Sequence, residues 1–138
     1  MSYGVGAALQ EAVYAALQAD VVLNTLVGND IFDQLPTGKV PALFVSLGPE
    51  TVLDRSDKDG CGAEHRVLVS VIGDASGFAK VKAAAAAVSD VLVDADLMLN
   101  RGRLVYLRFD RAVAKRDTRK NLRRVDLRFV ARVEDNQS

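Results

Sequence analysis

Cys61 and His65 are the only cysteine and the only histidine in the chain, four residues apart across Gly62. A thiol beside an imidazole can yield a thiolate nucleophile. Catalysis would also require a fixed nucleophile–base geometry, and no local signature surrounds this pair to supply it. Zinc takes several sulfur or imidazole ligands, and one of each is too few. Asp54, Asp57, Asp59 and Glu64 offer oxygens to calcium or magnesium but lack the spacing of a calcium-binding loop. A solvated acidic loop is the plainer reading, with a divalent ion shared between subunits as the residual use. Gly4-Val5-Gly6 precedes a helix without a preceding strand, and Gly60-Cys61-Gly62 is a turn signal, so no phosphate-binding glycine motif is complete. These residues therefore predict neither an enzyme nor a metal or cofactor site.

The basic groups are the better functional signal. Lys115, Arg116, Arg119, Lys120, Arg123 and Arg124 crowd one polar turn. Such a patch can meet phosphates, but no aromatic residue is interleaved in the turn to stack a base. An ion-paired subunit interface or a solvated hairpin fits this pattern better than nucleic-acid contact. Although the net charge is zero, residues 1–100 hold 6 basic and 13 acidic groups, and residues 101–132 hold 12 basic and 3 acidic. That polarity suits head-to-tail contact between identical subunits or an acidic partner.

The remaining composition sets the frame. A length of 138 residues with 49% apolar and 26% charged content fits one folded domain, 1–138, with a core that needs no disulfide. One cysteine excludes an internal disulfide and is compatible with a reducing compartment. The N-terminus lacks the basic region of a signal peptide. No apolar run approaches the ~20 residues of a membrane span. A soluble protein of cytoplasmic origin, without membrane contact, is expected.

Periodicity places the elements. Leu9, Val13, Ala16 and Leu17 share one helix face within residues 5–27. Asp20 can cap a second helical segment, Val21–Leu26, which Gly28 can end. Residues 29–38 read as a turn region containing a short extended piece. Val40–Leu47 reads as a strand closed by Gly48-Pro49. Residues 50–62 read as a long polar loop, of the kind that is usually functional or disordered. Glu64–Ile72 is a strand. Phe78, Val81, Ala85, Val88 and Leu92 recur at helical spacing, with Ser76 as a candidate cap. Leu97–Asn100 reads as a short strand or strand end. Two long strands follow: Val105, Leu107, Phe109 and Val113 on one face of the first, and Val125, Leu127, Phe129, Ala131 and Val133 on one face of the second. Arg124, Asp126, Arg128 and Arg132 take the opposite face of the second strand. A turn near Arg119 sets Phe109 opposite Phe129 and Asp110 opposite Arg128. The expected fold class is α/β (α+β): an antiparallel or mixed four-stranded sheet with two main helices packed on one face.

The order of motifs also resembles a phage tail-completion (tail-terminator) family. Ala19-Asp20-Val21-Val22-Leu23-Asn24-Thr25-Leu26-Val27 is similar to its Ala-Asp-x-x-Leu-x-x-Leu-Val helix. Gly28-Asn29-Asp30-Ile31-Phe32-Asp33-x-x-Pro36 is similar to the Gly-x-(Arg/Asp)-Ile-(Tyr/Phe)-Asp-x-x-Pro stretch that follows. Pro41–Gly48, Gly62-Ala63-Glu64-His65, an alanine-rich helix, Gly102-Arg103-Leu104-Val105-Tyr106-Leu107-Arg108-Phe109, Arg116-Asp117 and an arginine-rich last strand continue the match in order. Ala42 departs from it, where the family more often has an aromatic. The likeness extends to the tail terminators of gene transfer agents, domesticated phage-like particles.

The resemblance implies a non-enzymatic structural subunit in the tail of a virion or phage-like particle. Six copies would form a ring that ends the tail tube and meets the head-side connector or stopper, with DNA passing through the channel unbound. On that reading Arg116, Arg119, Lys120 and Arg123 would meet acidic groups of a neighbouring copy or of the tube protein. The loop bearing Asp54, Asp57, Lys58 and Asp59 would line the channel or order on assembly. A head–tail connector or stopper role shares this fold. A small basic-hairpin nucleic-acid-binding protein is the alternative from a different class.

Overall fold

The computed structural model describes residues 3–33, 41–56, 62–74 and 78–135. Helices α1 (Gly6–Ala19) and α2 (Val21–Val27) meet at Asp20, whose backbone is extended and whose carboxylate accepts from the Leu23 N–H at 2.9 Å. That bond satisfies a donor the first turn of α2 leaves open. Gly28 closes α2 at φ 62°, a conformation costly to any residue with a Cβ. The two-residue strand β1 (Ile31–Phe32) follows, then β2 (Leu43–Asp54), β3 (Gly62–Gly73), α3 (Phe78–Leu92), β4 (Arg103–Asp117) and β5 (Leu122–Glu134).

The mixed α+β class is the expected one. The sheet has five strands rather than four, ordered β1-β2-β3-β5-β4. The short extended piece at Ile31-Phe32 supplies the fifth by pairing parallel to β2; the other pairings are antiparallel. Val45, Val71 and Val125 align across three strands, as do Leu47, Val69 and Leu127. This face packs with Leu9, Val13 and Leu17 of α1, Leu23 and Val27 of α2, and Val81, Ala84, Val88 and Leu92 of α3. The alanines let α3 lie close to the sheet, and the register of the strands follows from which face is buried.

Three bulges account for most departures from the sequence reading. Gly48-Pro49 does not end the second strand. It forms an irregularity between Leu47 and Glu50, and pairing resumes with Glu50 opposite Val67 and continues to Asp54 opposite Ala63. Proline, lacking an N–H, is tolerated where the ladder is interrupted. The expected loop 50–62 is therefore strand as far as Asp54, and Arg55 N–H donates to Gly62 O at 2.8 Å. The bulge also moves Glu50 onto the helix-bearing face.

In β4 the shifts fall between Leu104 and Tyr106 and between Phe109 and Arg111. Each inserts one residue and reverses the alternation beyond it. Phe109 does pair with Phe129, as the turn position predicts, and their rings meet edge-on at 6.0 Å. Asp110 does not oppose Arg128. It is the extra residue, and Arg111 takes that place. Val105 and Val113 likewise leave the face of Leu107 and Phe109: Val105 is the other extra residue, and Val113 pairs with Asp126 on the opposite face.

Leu97–Asn100 is not a strand. Asp94, at φ 57°, turns the chain out of α3 and donates its N–H to Leu107 O at 2.9 Å. Leu97 and Leu99 then pack on the core from irregular backbone. Ser76 lies outside the described residues.

Candidate assembly interface

β4 and β5 form a long hairpin in which β5 is paired on both sides and β4 is a sheet edge. Its turn is held by Asp117, whose Oδ1 accepts from the N–H groups of Arg119 (3.1 Å) and Lys120 (3.2 Å), while Asn121 takes φ 53°. Aspartate and asparagine favour this chemistry. Arg116 pairs with Arg123 across the strands beside the turn that carries Arg119 and Lys120. The four predicted interface residues are thus brought together. Arg123 lies 5.9 Å from the centre of the Phe78 ring at the start of α3 and donates to Asn121 Oδ1 at 3.3 Å.

The strand order adds residues that sequence reasoning did not assemble. On the face opposite the helices, Arg124, Arg128 and Arg132 of β5 are joined by Arg108, Arg111 and Lys115 of β4 and by Arg66 of β3. Arg111 stands directly opposite Arg128, and Lys115 opposite Arg124. Like charges at such positions are unfavourable. The second pair is relieved by Asp126, which accepts from Ser70 Oγ and Arg124 Nε, each at 2.7 Å, with Lys115 Nζ 3.3 Å away. The first has no acidic partner among the described residues. The signal for this patch was the arginine on alternate positions of β5. Its extension onto β3 and β4 depends on pairings between distant segments.

Burial alone would raise the Asp126 carboxyl, but Ser70, Arg124 and Lys115 outweigh it and hold the group below the usual carboxylate range. The folded-state pKa is depressed. The stabilisation is therefore fully present above the unfolded value of about 4 and is lost as pH falls through the folded value. Asp126→Asn is expected to lower the melting temperature at pH 7, with the gap from the parent narrowing below pH 4. A gap of constant size from pH 7 to pH 3 would show that this carboxylate does not set the acid response.

Of the other predicted site residues, Asp54 ends β2 and accepts from the Ser56 N–H (3.1 Å) and hydroxyl (2.7 Å), which lower its pKa. Asp57, Lys58, Asp59 and Cys61 lie outside the described residues. His65 is buried on the helix-bearing face between Val52 and Ala131. Its Nδ1 is 3.2 Å from Glu50 Oε2, its Nε2 has no partner among the described residues, and its ring stacks on that of Tyr3, whose hydroxyl donates to Glu50. Burial raises the Glu50 carboxyl, and His65 and Tyr3 together bring it below its ordinary value. The bulge at Gly48-Pro49 is what presents Glu50 to this histidine. The group joins the N-terminal residues to the sheet and has no solvent-facing nitrogen.

This hairpin, edge strand and basic face sit on a fold shared with known proteins. The model of the family described as tail completion protein gp17 matches residues 11–134. The chain belongs to the tail completion protein gp17 family. A chain in a solved structure titled "Virion of native gene transfer agent (GTA) particle" is 59% identical to this chain, with a TM-score of 0.91 over 96% of this chain and 99% of the other. No match to a curated protein was found. Among the described residues, no helix is long and apolar enough to cross a membrane.

Proposed function

We propose that this chain, as one domain over residues 1–138, is a non-enzymatic subunit of a ring of six copies that ends the tail tube of a gene-transfer-agent-like particle and joins it to the head-side connector. The observation that carries this reading is the 59% identity over nearly the whole length of a chain from a native gene transfer agent virion. The charge polarity supports it. A ring requires two different patches of one subunit to meet, and this chain places its excess of cations on β4 and β5 and most of its carboxylates elsewhere.

Arg116, Arg119, Lys120 and Arg123 reach acidic groups of a neighbour or of the tube protein. The segment that includes Asp54, Asp57, Lys58 and Asp59 faces the channel, where its net negative charge discourages passing DNA from adhering. No cofactor or metal takes part. The particle is assembled in the host cytoplasm.

Electron microscopy of particles from cells lacking the chain tests the reading. Overlong or headless tails are expected. Normal, DNA-filled particles would overturn the structural role and move duplex binding by the basic hairpin, weakening steeply with salt, to the front.

A further inference from the structure

The two lateral ends of the sheet differ in a complementary way. At one end lies β4, whose edge beyond the point where Asp94 binds Leu107 O has no pairing strand among the described residues. Phe109 is 45% exposed and Val113 38% exposed along it, on opposite faces of the strand. Arg111 and Arg116 stand beside them, each opposite another arginine and neither with an acidic partner among the described residues. The fold keeps these like-charge pairs although they oppose strand pairing, which is the pattern expected where the missing anions come from outside the subunit.

Toward the other end α2 reaches β2 and α1 reaches β1, while both helices also pack against α3. Val21 (78% exposed), Val22 (61%) and Leu26 (37%) form an apolar face on α2 directed away from the core. Leu23 and Val27, on its other face, are buried. No lysine or arginine occurs between residues 3 and 33, a stretch that holds Glu11, Asp20, Asp30 and Asp33. None of these four has a cationic partner among the described residues. Asp20 caps α2 and so is fixed at the border of the apolar face.

Resting on the ring reading, we propose that the β4 edge of one copy docks on α2 of the next copy. The helix straddles the strand edge, so that Phe109 on one face and Val113 on the other meet Val21, Val22 and Leu26, and Arg111 and Arg116 face Asp20 and Asp30. The occupant is a second copy of this chain because apolar area and opposite charge are matched between the two ends of the same molecule. Patches at opposite ends of one subunit give a head-to-tail contact, which generates a ring when the rotation closes. An apolar centre with arginine and aromatic residues inside a charged rim is the composition of a specific interface.

The test places Val22→Cys and Val113→Cys together in a Cys61→Ser background in particle-producing cells. Purified particles are oxidised and run without reductant, and copies per particle are counted by quantitative mass spectrometry. The expected result is a ladder of cross-linked multiples from the double variant and monomer from each single variant, because the contact joins two different patches. Particles that hold several copies yet give only monomer would overturn the contact and leave the ring reading standing. One copy per particle would overturn both. Leu26→Cys with Arg111→Cys is a second pair read in the same way, so loss of particles in one pair alone does not stand as the result.

Discussion

Phe129→Ala is expected to destabilise the subunit by about 3–5 kcal/mol, the range for emptying a large buried aromatic site. Phe129 is fully buried on β5, the strand paired on both sides. Val67 flanks it on β3 and Phe109 on β4, and the helices cover its face. The surrounding strands cannot collapse into the space without breaking their register, so the cavity term adds to the lost transfer energy. Against a net stability of about 5–15 kcal/mol for a domain, this would leave a large unfolded fraction. Phe109→Ala, at a half-exposed edge position, is expected to cost about 1 kcal/mol. Urea denaturation of both variants at matched slope gives the comparison. Equal losses would mean that the outer ring carries as much packing as the inner one, contrary to the burial.

Reversing Arg119 and Lys120 together to glutamate is expected to leave the fold intact and to reduce particle yield by roughly tenfold or more, since like-charge juxtaposition at an interface costs several kcal/mol. The turn is pinned by Asp117 through the backbone N–H groups of these two residues, not through their side chains, which are exposed. The melting temperature of the variant should therefore lie within a few degrees of the parent. Unchanged yield with an unchanged melting temperature would remove the hairpin turn from the assembly interface. A collapsed melting temperature would locate the loss in folding.

Much of the fold was legible because its buried elements are strictly periodic. Leu9, Val13 and Leu17, and later Val81, Ala85, Val88 and Leu92, recur at helical spacing and are buried as that spacing requires. Val125 through Val133 alternate without interruption, and a turn centred near Arg119 was enough to place Phe109 against Phe129. The rest was hidden by irregular backbone. A bulge leaves no repeating mark, so the sequence alone reads Glu50–Asp54 as loop, sets Val105 and Val113 on the face of Leu107 and Phe109, and pairs Asp110 with Arg128.

The basic surface was legible as a cluster in sequence, around Arg116, Arg119, Lys120 and Arg123, and as alternate arginines on β5. Its breadth was not. Arg66 joins it only because β3 pairs with β5, which sets Arg66 opposite Val130, far along the chain. Glu50 and His65 show the same limit. They are brought together by a bulge, and neither residue type nor spacing announced the pair.

The unpaired edge of β4 has a consequence for the subunit before it meets any partner. A long exposed strand is a template on which another chain can zip, and such edges seed aggregates. Here the strand carries Arg103, Arg108, Arg111, Lys115 and Arg116, and its two bulges interrupt the straight row of donors and acceptors. Two such edges approaching each other bring cations together, so copies newly released from the ribosome repel in the one orientation that would otherwise be most adhesive. The charge along this edge, suited to an acidic surface, thus also opposes edge-to-edge pairing between free copies.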